Sequence, residues 1–271
     1  RIQGSLVEAT ELNNYLFIVT DNDNGTSSLI QLDSGGNSNS ISTFEGKVKS
    51  ITSSNGTIWI STSSPGNFFY NTDTIKFGKI SSSPKFITSF KGNLWCLTDD
   101  GFAYYYDKTH NLWHLQNNTS IGNIGDFIVI TRNSNDILLF TRPSANDVYS
   151  FDGTNFNRYG NNSFGSNPLG IFEYKNEIYV CNEGSNDLFK LEESSNDWIK
   201  VGDLGLSPQS LNVFNDSLIT TCKNTNDLLS WDGNKVSRIN ECGYKPTITQ
   251  VYNDNLYVFC EGISGDLGKG L

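Results

Sequence analysis

The sequence holds no methionine, only two histidines and six prolines, and just 18 % of its 271 residues are charged. Each shortage excludes something. His110 and His114 are too few imidazoles for a histidine-rich zinc centre, which would have to draw on carboxylates and cysteines instead. Nothing resembling a nucleophile elbow accompanies them, so a histidine-based serine triad has no support. No apolar run approaches the roughly 18 residues of a membrane span, and no signal-peptide pattern stands at residue 1. A net charge of −10 leaves no basic face for phosphate neutralisation, so nucleic acid is not an expected partner. No metal, cofactor or catalytic residue is expected. A chain that starts at Arg1 without a single Met reads as a processed or excised piece of a larger chain or assembly.

What is present in quantity is Gly, Asn, Ser and aromatic residues, the last at 13 %. That mixture suits many short strands joined by tight turns. Fixed-period self-similarity confirms the impression. An apolar anchor follows a polar turn at Leu16, Ile58, Leu94, Ile137, Ile178, Leu218 and Leu256, at intervals of 36 to 43 residues. The residue four places on is small in each copy: Thr20, Thr62, Thr98, Thr141, Asn182, Cys222 and Cys260.

Each copy holds four short runs, as in "SLNVF", "SLITTC", "DLLSW" and "VSRI" of the sixth. The first connection carries hairpin residues: Asn13-Asn14, Asn55-Gly56, Gly92-Asn93, Asn135-Asp136, Asn176-Glu177, Asn215-Asp216 and Asp254-Asn255. These residue types tolerate the positive φ of tight hairpins. The third connection carries Asp152-Gly153 and Asp232-Gly233, a strong hairpin signal. Four strands per copy without helical periodicity predict an all-β fold, a seven-bladed β-propeller with four antiparallel strands per blade. A β-solenoid would normally have shorter repeats. The blades are expected near 4–45, 46–80, 81–116, 117–160, 161–202, 203–240, and 241–271 joined by 1–3, all within one domain. In that arrangement Arg1–Gln3 pairs with the C-terminal blade and closes the ring.

Two further series run in step with the repeat. Pro84, Pro168, Pro208 and Pro246 each lie ten residues before an anchor, where proline can open a first strand without breaking a ladder. Lys79, His114, Arg158, Lys200 and Arg238 precede the last apolar position of the fourth run. A cation on that outer edge discourages pairing with other chains.

"YYYDKTHNLWHL" (104–115) resembles the third and fourth strands of a kelch repeat, and "NDNLYVFCEGI" (253–263) resembles its second. The paired glycines of that motif are replaced by Asp99-Asp100, Asn182-Glu183 and Cys260-Glu261. The resemblance implies a propeller with a central channel that binds other proteins through loops on one face. Some kelch-type propellers are copper-radical oxidases, whose Tyr, His and Cys constellation has no match here.

The cysteines number five, an odd count in a chain too large to need a disulfide framework. Cys96, Cys181, Cys222 and Cys260 fall in second strands and read as small core residues. Equivalent positions in adjacent blades lie beyond the roughly 7 Å Cα limit of a disulfide. Cys242, in "NECGYKP", is the one expected nearer the surface. Thiols so placed favour a reducing compartment, with secretion left open. N-x-S/T sequons at Asn24, Asn55, Asn117, Asn118, Asn161 and Asn215 would matter only in a secreted protein.

Candidate binding residues come from two sources. Asp147, Asp187 and Asp227, with Asp266 as a further copy, head the third runs and would place an arc of carboxylates on one rim. That arc could take a cation or a basic peptide, or the acids could simply serve their turns. The irregular loops "DNDNGTSS" (21–28), "TRPSAND" (141–147), "NNSFGSNP" (161–168) and "ECGYKP" (241–246) supply Arg142, Phe164 and Tyr244, residue types that dominate binding hot spots. The function expected is a non-catalytic scaffold or protein-interaction module. The alternatives are a lectin-like propeller holding carbohydrate between blades and a polysaccharide-processing enzyme. Phe17, Trp59, Trp95, Tyr179 and Tyr257 directly follow anchors, a placement that favours core packing over repeated sugar pockets.

Overall fold

A computed structural model of the chain describes residues 5–260 apart from 23, 64–67, 73–75, 117 and 162–163, and every regular element among them is a β-strand. The strands form seven antiparallel sheets. Six have four strands whose spatial order follows chain order: Ser5–Glu45, Val48–Lys79, Pro84–Leu115, Phe127–Tyr159, Pro168–Asp203 and Pro208–Glu241. The seventh, Pro246–Cys260, has two strands. Pro84, Pro168, Pro208 and Pro246 each open a first strand, as their missing N–H predicts. No helix of the described residues is long and apolar enough to cross a membrane. The N-terminal strand expected at Arg1–Gln3, the third run after Cys260 and Asp266 lie outside the described residues.

The first hairpins use two successive residues of positive φ, for example Asn13 (53°) and Asn14 (61°), or Asn215 (48°) and Asp216 (54°). In four copies these turn residues are not the ones the sequence suggests. They are Lys91-Gly92, Asn133-Ser134, Lys175-Asn176 and Asn253-Asp254. Preference for Asn, Asp and Gly draws the eye one or two residues too far, whereas the flanking strands hold Lys91 and Lys175 in the left-handed region.

The fourth copy also shifts its anchor. Leu138, fully buried, pairs with Phe151 as Leu218 pairs with Trp231. Ile137 is only partly buried. The hairpin before it is longer, with an eight-residue second strand, Asn135–Arg142. Arg142 therefore occupies the place held by Asn182 and Cys222, opposite Asp147 as they are opposite Asp187 and Asp227. The expectation of a small residue there fails in this copy.

The chain divides after Gly122 into two compact units, the first with three sheets and the second with four. In each, the core lies between successive sheets. Val19, Leu29, Ile51 and Ile60 join the first and second sheets, and Phe69, Phe77, Ile87 and Tyr104 the second and third. In the other unit Leu139, Val148, Ile171 and Val180 join the fourth and fifth, and Tyr179, Leu188, Leu211 and Leu229 the fifth and sixth. A sheet buried on both faces against neighbours explains why apolar residues do not simply alternate along second strands. The aromatics after the anchors serve this core: Phe17, Trp95 and Tyr179 are nearly inaccessible. Trp59 and Trp95 each donate their indole N–H to a carbonyl five residues back, Ser54 and Phe90.

Fourth strands pack by a second rule. Trp198 lies against Gly160 of the preceding sheet, and Trp113 against Gly78. Gly160 has φ +94°, and a Cβ there would stand 2.2 Å from Trp198 Nε1. Trp198 Nε1 also donates to the Tyr159 carbonyl at 3.2 Å.

Candidate interaction face

Asp147, Asp187 and Asp227 open third strands, as the repeat predicts. Their carboxylates meet the cations of their own fourth strands. Asp227 Oδ1 lies 2.5 Å from Arg238 Nε, Asp187 Oδ1 lies 2.6 Å from Lys200 Nζ, and Asp147 Oδ2 lies 3.9 Å from Arg158 Nε. The register explains this. Arg158, Lys200 and Arg238 pair with Tyr149, Phe189 and Leu229, each two residues beyond the aspartate. Carboxylate and cation thus project from the same face of adjacent strands. Two series that look separate in the sequence form one set of ion pairs.

Arg142 adds to the fourth-sheet pair. It grips Asp147 with two hydrogen bonds of 2.7 Å, and its guanidinium sits 3.8 Å above the Tyr149 ring. Burial works against its charge, but the Asp147 carboxylate and Tyr149 together more than offset this and hold the guanidinium above its ordinary pKa. Phe164 is not on the surface. It is 3 % exposed and packs against Trp198 and Phe189, with ring centroids 4.7 and 5.2 Å away.

The residue before each of these aspartates carries a structural role that composition hides. Asn146, Asn186 and Asn226 adopt φ near 56–60°. From there each side-chain oxygen accepts a backbone N–H in the loop leading into the next sheet: Asn167 at 3.0 Å, Ser207 at 3.0 Å and Lys245 at 2.8 Å. The lead-in loops and the middle loops between second and third strands are thereby stapled together along one rim of this unit. Three Asn-Asp dipeptides at 40-residue spacing were the available signal.

On that rim, Glu183 of the fifth sheet's middle loop accepts from Ser207 Oγ at 2.7 Å, Gln209 Nε2 at 3.1 Å and Asn167 Nδ2. Tyr244 is 51 % exposed, and Lys245 Nζ lies 5.1 Å from its ring centre. Leu206, two residues before Pro208 as Tyr244 is two before Pro246, is 54 % exposed. The sequence singles out Tyr244, whereas Leu206 and Glu183 do not stand out in it, because neither departs from the composition of its loop.

The cysteines and histidines differ in exposure. All five cysteines are free thiols. Cys96 and Cys181 are inaccessible, and burial raises both pKa values. Burial pushes Cys222 up to about 12 and Cys242 up to about 11. Cys242 is half-buried, and Cys260 shares that exposure rather than lying in the core. His110 Nδ1 and His114 Nε2 lie 2.6 and 3.6 Å from Asp107 Oδ2, and His114 stacks on Tyr105. Among the described residues no group of three or more His, Cys, Asp or Glu is placed to hold a metal ion.

No family model matches the sequence, and no curated protein matches it. The chain is similar in structure to YCF48 bound to a D1 peptide, with 11 % identity, a TM-score of 0.74, and 94 % of this chain and 90 % of that one covered. It is similar to the WD40 β-propeller domain of Doa1, with 8 % identity, a TM-score of 0.73, and 94 % and 90 % covered. YCF48 from Cyanidioschyzon merolae gives 12 % identity, a TM-score of 0.70, and 94 % and 92 % covered. At such identities the likeness shows the fold: the chain is a β-propeller.

Proposed function

We propose that this chain is a non-catalytic seven-bladed, kelch-like propeller that serves as a protein-interaction or scaffold module. The observation that carries the reading is a contrast on one rim. The repeated carboxylates are engaged by cations of their own sheets, while Tyr244 and Leu206 stand half exposed on successive lead-in loops. Loops on a rigid scaffold are where binding residues concentrate, and exposed aromatics make strong anchors. The structurally similar YCF48 has been seen with a peptide bound, which fits the same class of use.

The test pits partner classes against each other on the intact chain. A peptide-display library and a glycan array are probed in parallel. Peptide enrichment with a silent array supports the interaction module. Specific sugar binding with no peptide enrichment overturns it in favour of a lectin.

A further inference from the structure

Of the six four-stranded sheets, all but the first guard the outer strand with a cation. Lys76 and Lys79, His114, Arg158, Lys200 and Arg238 stand on the fourth strands of the second to sixth sheets. The fourth strand of the first sheet, Ser38–Glu45, reads SNSISTFE and holds no Lys, Arg or His. It is also the longest of these outer strands, eight residues against four to seven.

The register shows where the cation is lost. Ser40 pairs with Ile30 as Lys200 pairs with Phe189 and Arg238 with Leu229, and in each ladder the next outer residue is skipped. Ser28, two residues before Ile30, stands where the fifth and sixth sheets have Asp187 and Asp227. Both members of the ion pair are thus serine in the first sheet, and Ser28 Oγ accepts instead from Asn22 Nδ2 at 3.0 Å. The skipped residue, Ile41, is 37 % exposed. Because the same irregularity occurs in guarded strands, it does not stand in for the missing cation.

Ser38–Glu45 pairs on one side with Thr26–Leu32 and has no neighbour on the other among the described residues. Such an edge offers a row of backbone donors and acceptors to another strand, and charge is a common barrier to its use. From Ser38 through Phe44 that barrier is absent. Neutrality also selects the partner. A strand of one sign favours a strand of the other, but a neutral strand can lie against its own copy. A two-fold axis at Ile41 sets Ile41 against Ile41, Ser40 against Ser42, Asn39 against Thr43, and Glu45 against Asn37. No like charges meet, and hydroxyl and β-branched pairs across antiparallel strands are favourable. The same operation centred on Arg238 would set two guanidiniums face to face. We propose that Ser38–Glu45 is a dimerisation edge, where two copies of this chain join their first sheets in an antiparallel, two-fold pairing. One strand pair is a small contact, so its dissociation constant should be on the order of 10–100 μM. This goes beyond the interaction-module reading and does not depend on it.

Sedimentation velocity on the intact chain from about 1 to 300 μM reads the association. The proposal expects a reversible monomer–dimer equilibrium that tightens as salt rises from about 50 to 300 mM, because the net charge of −10 repels the two copies until it is screened. Amides of Ser38–Glu45 should exchange more slowly at the high concentration than at the low one. Ser40→Arg, which restores the repeated cation, should weaken the dimer about tenfold or more. Thr43→Lys, at a second exposed position of the strand, should do the same. Asn157→Arg, at an exposed position of the fourth sheet's outer strand, should change little. Unaltered thermal midpoints of the variants assign the loss to the edge. A monomer at every concentration overturns the proposal, as does a dimer that survives both Ser40→Arg and Thr43→Lys. Capture of extended peptides by this edge without self-association overturns the second copy as its occupant.

Discussion

Arg238 and Asp227 face each other across neighbouring strands, two residues out of register, with Nε 2.5 Å from Oδ1. Lys200 with Asp187 and Arg158 with Asp147 repeat the relationship. The outer strand's cation thus discourages edge pairing and anchors the head of the third strand at once.

These pairs differ in burial, so their worth should differ. Arg238 is 56 % exposed, whereas Arg142 and Asp147 are only 16 % and 10 % exposed. Asp147→Asn leaves the mostly buried guanidinium without its counter-charge and should cost about 3 kcal/mol. Asp227→Asn should cost no more than about 1 kcal/mol. Urea unfolding of the two variants checks the order, and equal losses would contradict it.

The asparagine staples can be isolated at Asn226. Asn226→Gly keeps the left-handed backbone but removes the acceptor for Lys245 N–H, and should cost about 1–2 kcal/mol. Asn226→Asp keeps the acceptor and should cost less. Amide exchange reads the effect locally: Lys245 should exchange faster in the glycine variant and stay protected in the aspartate one.

Gly160 is the tightest packing point between fourth strands. Gly160→Ala would force a Cβ to within 2.2 Å of Trp198 Nε1 at a φ of +94°, costing about 3 kcal/mol or more. The expected result is a lower urea midpoint and an altered Trp198 environment in fluorescence. A neutral outcome would mean the two strands are not seated as described.

Asp107 gives a pH signature. The side-chain hydrogen bond from His110, then the Thr109 N–H, holds its pKa down to about 2, against an ordinary 3.8. A depressed carboxylate pKa contributes stability above the unfolded value and loses it as pH falls toward the folded one. The contribution should therefore be complete above about pH 4 and fade down to about pH 2. Carboxyl NMR titration should place the Asp107 midpoint near 2, and His110→Ala should return it toward the ordinary range. A midpoint indifferent to His110 would contradict the assignment.

Much of this fold is legible in the sequence because turn chemistry, proline placement and apolar anchors recur together. Pro168, Pro208 and Pro246 and the cations Arg158, Lys200 and Arg238 all fall where period and strand logic put them. Reading falters where tertiary structure overrides local preference. Lys91 and Lys175 occupy left-handed turn positions that propensity assigns to Asn or Gly. The longer fourth hairpin moves the anchor from Ile137 to Leu138 and puts Arg142 where a small residue was expected. Exposure of the loop aromatics is only half legible. Tyr244 stood out as an aromatic in a loop, but Phe164 looked the same and is buried.

In the proposed division of labour, repeated residues build the framework and unshared loop residues bind. The most direct measurement compares Asp227→Asn with Tyr244→Ala, recording thermal midpoint and affinity for a peptide that the intact chain selects from a display library. Asp227→Asn should lower the midpoint and leave affinity unchanged, and Tyr244→Ala should leave the midpoint unchanged and weaken binding about tenfold. Loss of affinity in Asp227→Asn, with Tyr244→Ala binding normally, would contradict it.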